Sequence, residues 1–274
     1  IVDAYTTSPY LPFSKNCACQ NFNYIRNSVK VTIDATTGAT RFYIWDDSDP
    51  LVLSWQQHFP DLFLSEDAIP DDILAHLRYP EDLFEIQTQA YNRFHVTDPF
   101  TFYTNSDVWD IPQEIVNQDL GSQPMDAYHN IVNLTDLNPE PEFVVLRPAV
   151  PYGKDNMVAW YAGRSDVPYL GELLVYRFPS DTLISGPAQI ETRIDQDAEL
   201  SKTFTLWNQE GSQVVRGGLY VLPVGSTMLF VKPIYLQSRT KAIPELKLVI
   251  LATENQLVFG TTVEEALSRL VITD

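Results

Sequence analysis

The chain has 274 residues, 45% of them apolar, which is enough for a proper core and excludes a disordered polypeptide. Its apolar runs, such as 248–252, fall far short of the roughly 18 to 20 residues a membrane-spanning helix needs, so the chain reads as soluble. The formal charge of −18 is concentrated: 46–142 holds 20 acidic residues against two basic ones, and the remainder is balanced at 16 against 16. That field argues against a nucleic-acid or peripheral-membrane role for the acidic segment and leaves cationic partners open.

The opening, "IVDAYTTSPYLPFS", has neither an initiator Met nor a signal-peptide pattern, and reads as an excised piece. Cys17 and Cys19 are the only cysteines, too few for a disulfide framework or a zinc site, and are expected to be ordinary loop cysteines. Residues 29–45 alternate Val29, Val31 and Ile33 with polar neighbours around "TTG", which predicts a hairpin. Asp49 and Pro50 then form a helix start, with Leu51, Trp55 and Phe59 at helical spacing. A short helix is expected near 71–77. Pro80, Glu81 and Asp82 open a longer one with Leu83, Ile86, Ala90 and Phe94 along one face. The stretch 109–141, rich in Asn, Asp, Gln and Pro, is expected to be a long loop or connection.

From residue 142 the patterns "EFVVLRP", "NMVAWYAG", "GELLVYRFP", "GLYVLPV", "TMLFVKPIYL" and "LKLVILATENQLVFG" predict strands, the last as a hairpin about Glu254 and Asn255. Helical patterns interrupt them at 199–207 and in the tail, where Thr261 and Glu264 form a capping box. The expected fold is α+β, a helical acidic lobe plus a largely antiparallel or mixed β-sheet lobe. Its expected divisions are 1–45, an N-terminal segment and hairpin packed with the C-terminal sheet; 46–142, mostly helical with a connecting loop; and 143–274, β-rich with two short helices.

Chemical signatures are few. His58, His76, His95 and His129 form no metal-ligand spacing, and the nucleophile-elbow and phosphate-cradle motifs are absent. "RGG" at 216–218 is too short to be a cradle, and "NLT" at Asn133 is a glycosylation sequon by pattern alone. The one candidate metal site is Asp195, Asp197 and Glu199. An EF-hand starting at Asp195 fails, because its sixth and twelfth positions are Leu200 and Leu206. Helical spacing of Leu200, Phe204 and Trp207 instead makes Asp197 an N-cap with Glu199 in the first turn. Asp195 is left without a role, with Arg193 as a possible neighbour.

The phrases "FNYIRNSVKVTIDATTG", "HLRYPEDLFEIQTQAYNRFHVTDPFTFY", "DNMVAWYAGRSD" and "GPAQIETRIDQDAELSKTFTLWNQEGSQVVRGGLYVLPV" resemble, in this order, the bacterial uncharacterised protein family 0182. That resemblance implies a soluble extracytoplasmic region of a multi-pass protein of the cell membrane, tethered through a part absent from this chain. It supplies no activity and no catalytic residues. The reading adopted is an interaction or ligand-binding module, not an enzyme, with no cofactor and with a protein or cationic ligand at the acidic lobe. The alternatives are a divalent-cation-dependent enzyme acting on envelope glycans or lipids through Asp195, Asp197 and Glu199, and a structural spacer in a membrane assembly.

Overall fold

The computed structural model describes residues 1–17, 21–117, 121–134, 140–179, 181–209, 211–225, 227–238 and 241–270. The chain forms two units, Ile1–Thr88 with Gly163–Leu173, and Gln89–Ala162 with Leu174–Asp274.

In the first unit β1 (Val2–Ser8), β2 (Tyr24–Ile33) and β3 (Thr40–Ile44) pair antiparallel, and β4 (Phe63–Leu64), reached through α1 (Pro50–His58), joins β3 in parallel. The strands of 1–45 thus pair with one another and, through β3, with β4. The hairpin turn is set by Asp34, whose carboxylate accepts the N–H groups of Thr36 and Thr37 at 2.8 Å each, and by Gly38 at φ 73°.

Asp49 caps α1 as the sequence suggests, accepting the Leu51 N–H at 3.0 Å. The same carboxylate, fully buried, also accepts the hydroxyls of Thr6, Ser28 and Tyr24 at 2.5 to 2.6 Å. That anchor to the sheet fixes the rotation of the helix. Val52 is the buried residue, 1% exposed, whereas the expected stripe turns outward: Trp55 and Phe59 are half exposed and stack on each other at 5.9 Å. Burial raises the Asp49 pKa, but the hydrogen bonds from Ser28, Thr6, Tyr24 and Leu51 outweigh it and leave the carboxyl at about 2 against an ordinary 3.8. A carboxyl depressed in the folded state adds stability above its unfolded pKa, and that stability drains away as pH falls from about 4 to about 2. Asp49→Asn is therefore expected to lose about 2 kcal/mol at neutral pH and to flatten the acid limb of a urea-denaturation pH series.

A second cluster of the unit gathers Tyr43, Ile69 and Leu77 around α2 (Asp71–Leu74), and the returning segment 163–173 is tied in by the Ser165 hydroxyl, which accepts the Tyr79 N–H at 3.0 Å. α3 (Glu81–Phe94) begins here and runs on into the second unit. Its buried face is Phe84, Thr88 and Asn92, with His95 just beyond its end, and not the expected Leu83, Ile86, Ala90 and Phe94. Polar groups on that face find partners: the Tyr161 hydroxyl donates to the Asn92 side-chain amide oxygen at 2.6 Å, the Thr88 hydroxyl donates to the Glu85 carbonyl at 3.1 Å, and His95 Nδ1 lies 3.0 Å from the Tyr91 carbonyl while its ring stacks on Trp109 at 3.7 Å.

In the second unit α4 (Pro99–Thr104) is capped by Asp98. The expected loop of 109–141 instead contains β5 (Trp109–Asp110), β6 (Gln113–Asn117), β7 (Gly121–Pro124) and β8 (Tyr128–Asn133); short polar strands leave no period-2 signature. There follow β9 (Pro141–Pro151), β10 (Ala159–Arg164) and β11 (Leu173–Arg177), then α5 (Pro187–Gln196) and α6 (Ala198–Trp207). β12 (Ser212–Arg216), β13 (Tyr220–Val224), β14 (Thr227–Ser238), β15 (Lys241–Ala252), β16 (Leu257–Gly260) and α7 (Val263–Arg269) complete the chain. One sheet has the order β11-β10-β9-β5 with β8 added to β9, and another β12-β14-β15-β16 with β13 added to β14, while β6 and β7 form a ribbon.

The fold is α+β with mostly antiparallel sheets, but α5 joins the two helices expected after residue 143. The tail cap moves by one residue: the Thr262 hydroxyl accepts the Glu265 N–H, and Glu265, not Glu264, reaches back to Thr261. Cys17 is disulfide-bonded, which corrects the expectation of an ordinary loop thiol there; Cys19 lies outside the described residues.

Candidate functional site

Two sheets of the second unit meet over one apolar core that runs from Leu146 and Trp160 to Phe230 and Ile250. At one end that core opens into a cavity of about 440 Å³. Trp160 of β10 and Tyr176 of β11 form its aromatic wall, with ring centres 5.4 Å apart. Phe178 and Leu183, in the connection to α5, Met228 of β14 and Pro223 of β13 supply the rest of the apolar lining, and Leu183 at the rim is 78% exposed. Asn133, Thr182, Thr227 and Glu254 are its polar members. A mostly apolar concavity of this size with a few polar groups is the usual form of a small-molecule site.

The frame of the cavity is built from the ends of elements. Glu254, at the β15–β16 turn, accepts the Ser185 N–H at 2.5 Å and the Ser185 hydroxyl at 2.7 Å. From α5, Arg193 donates to the carbonyls of Thr253 at 2.7 Å and Glu254 at 3.2 Å, so the same turn is held from two sides. α5 starts at Gly186, where the backbone passes so close to 155 that a Cβ would lie 1.8 Å from the Asp155 carbonyl oxygen. Behind the wall the Tyr128 hydroxyl donates to the Val221 carbonyl at 2.7 Å and accepts the Val221 N–H at 3.0 Å, tying β8 to β13. Burial, first of all, pushes the Tyr128 hydroxyl pKa well up.

Chemically, the cavity can enclose an apolar chain or ring and offer one carboxylate to a hydrogen-bond donor. Ser185 gives both its N–H and its hydroxyl to that carboxylate, the geometry of a capped turn. A nucleophilic serine needs a separate positioned base.

The sequence-derived metal candidates are not brought together. Asp197 is the N-cap of α6, accepting the N–H groups of Glu199 and Leu200 at 3.0 and 2.9 Å, and Leu200 and Phe204 are buried as the stripe requires. Glu199 sits in the first turn. Asp195 pairs with Arg216 rather than with Arg193. Among the described residues no three His, Cys, Asp or Glu side chains are grouped to hold a metal ion.

Arg216, the first residue of "RGG", belongs to a buried charge network that sequence reasoning missed. It donates to Glu191 of α5 at 3.4 Å, and Lys232 of β14 donates to the same carboxylate and to the Ile115 carbonyl at 2.8 Å. Glu114 accepts the Leu219 N–H at 2.8 Å nearby. Glu191, Arg216 and Lys232 are each at most 2% exposed, so the network locks α5, and with it the cavity frame, onto β12 and β14. Burial drives the Lys232 pKa down against the pull of Glu191, and drives that of Glu114 up. A glutamate inside a helical stripe, Ile190, Glu191 and Ile194, was the available signal.

Comparison with known proteins adds a lineage. The model of the uncharacterised protein family (UPF0182) matches residues 1–207. The chain is similar to a UPF0182 protein of Pelotomaculum thermopropionicum, 43% identical over 268 residues that cover 98% of the chain and 29% of that protein. It is 44% identical over 278 residues to one of Desulfitobacterium hafniense, covering 98% and 28%, and 45% identical over 271 residues to one of a Sulfurovum species, covering 97% and 29%. The chain thus spans less than a third of the length of these relatives. No solved structure matches it.

Proposed function

The chain belongs to the uncharacterised protein family UPF0182, which has no assigned molecular function, and on that premise we propose that it is a ligand-binding module on the extracytoplasmic side of a cell membrane. The observation that carries the binding role is the aromatic cavity of the second unit with Glu254 at its edge. A structural spacer has no use for such a cavity. The place at the membrane is supported by the resemblance to multi-pass proteins; among the described residues no helix is long and apolar enough to cross one. A cationic partner at the acidic stretch is the lesser part of the proposal. Asp71, Asp72, Glu81 and Asp82 are exposed, yet they occupy the first turns of α2 and α3, where the helix dipole already favours them.

The ligand class follows from the lining. Leu134, Met228 and three aromatic rings suit a hydrocarbon chain or ring, and a carboxylate favours a hydroxyl or ammonium head over an anionic one. Titration with the neutral fluorescent probe N-phenyl-1-naphthylamine is expected to saturate, and decanol or decyltrimethylammonium to displace it more readily than decanoate. Phe178→Asp, which puts a charge into the cavity, is expected to weaken probe binding by about tenfold or more. Unsaturable binding, or equal affinity in the variant, would contradict the proposal.

A further inference from the structure

The connection between β1 and β2 carries a turn at 11–14, closed by a hydrogen bond from the Ser14 N–H to the Leu11 carbonyl at 3.4 Å. Its centre is Pro12 and Phe13, and Phe13 has φ 63°. A positive φ after a proline at the turn's second position is the place glycine ordinarily fills, and a bulky aromatic there is strained. The turn is nonetheless firmly built. The Asn23 side chain accepts the Leu11 N–H at 2.9 Å and donates to the Leu11 carbonyl at 2.8 Å, while the Ser14 hydroxyl donates to the Asn23 carbonyl at 2.7 Å.

What this scaffold presents is apolar. Phe13 is fully exposed at 111%, Tyr10 is 86% exposed and Leu11 43%. Among the described residues nothing covers Phe13, so the strain points to a contact outside the chain. The sequence around the tip also carries no acidic group. From residue 4 to residue 33 there is no Asp or Glu in a chain of charge −18, and Lys15 is exposed beside the tip.

We propose that this tip inserts into the interfacial layer of a lipid bilayer, with Phe13 and Leu11 entering the acyl region and the Tyr10 hydroxyl and Lys15 ammonium at the headgroups. Aromatic and basic side chains that combine an apolar body with a polar end are suited to that layer. A protein partner fits less well: a specific interface covers roughly 800 Å² on each side, which three side chains on a convex turn cannot supply. Contact of this size is weak, and tethering through the rest of a membrane polypeptide would raise its effective concentration. The inference is independent of the cavity reading and takes from the proposed function its membrane placement alone.

The test is cosedimentation of the 274-residue chain with mixed phosphatidylcholine–phosphatidylglycerol vesicles at about 0.15 M salt, where charges beyond roughly 8 Å are screened. Phe13→Gly is expected to keep or raise the melting temperature, because it relieves the turn, and to lower the partition coefficient about tenfold. Trp55→Ser, which removes an exposed aromatic elsewhere in the same unit, is expected to leave partitioning unchanged. The proposal is overturned if the chain does not partition, if Phe13→Gly partitions equally, or if Trp55→Ser loses as much. Self-association in the absence of lipid that vanishes in Phe13→Gly would also overturn it, in favour of a protein contact.

Discussion

Lys232→Met is expected to lower the unfolding free energy by about 3 to 5 kcal/mol in urea titrations, the range found when one partner of a buried pair is removed. Lys232 is 1% exposed, and its ammonium is shared between Glu191 and the Ile115 carbonyl. Among the described residues, the variant leaves Glu191, itself 2% exposed, with the longer 3.4 Å contact to Arg216. Desolvating a carboxylate without its main counter-charge costs far more than methionine's packing returns. The second substitution in the cycle decides whether the cost is the orphaned charge. Lys232→Met with Glu191→Gln is expected to recover more than half of the loss, since Arg216 keeps Asp195 as its partner. A loss below about 1 kcal/mol for Lys232→Met would mean that the pair is open to water.

Gly186→Ala is expected to be comparably severe, about 3 kcal/mol or more, for a steric reason. A Cβ there would stand 1.8 Å from the Asp155 carbonyl oxygen and 3.0 Å from its carbon, and both are backbone atoms with no side-chain freedom to yield. The start of α5 would have to move, carrying Ser185 away from Glu254 and Ile184 away from its bridge to Met157. Because those contacts frame the cavity, probe affinity is expected to fall together with the melting temperature. Gly211→Ala makes a useful contrast, since nothing lies within 4 Å of a Cβ there and only its φ of 95° resists substitution.

Local chemistry was legible in the sequence where one short stretch contains the whole cause. The "TTG" turn with Gly38, Asp49 with Pro50, and Asp197 ahead of Leu200 and Phe204 each form the expected turn or helix start, although the face of α1 that the period marked turns outward. Elements whose buried face is polar were misread. α3 buries Asn92, and α5 buries Glu191, because partners distant in sequence, Tyr161 and Lys232, satisfy them, while the buried Thr88 hydroxyl donates to the Glu85 carbonyl of its own helix. The cavity had no local signature at all. Its lining is drawn from 133 to 254, and residues such as Trp160 and Met228 read as core positions in their own strands. Asp195 illustrates the same limit: Arg193 is nearer along the chain, yet Arg216 is the cation that the fold delivers.

The central claim, that the second unit holds a ligand in this cavity, is tested most directly by the methyl spectrum of ¹³C-methionine-labelled protein during titration with N-phenyl-1-naphthylamine. The chain has three methionines, and Met228 lines the cavity while Met125 lies buried beneath the Arg147 guanidinium, which donates to its carbonyl. The Met228 methyl signal is expected to shift and saturate with the fluorescence change while the Met125 signal stays in place. Saturable probe binding that leaves Met228 unmoved would place the ligand elsewhere and contradict the account.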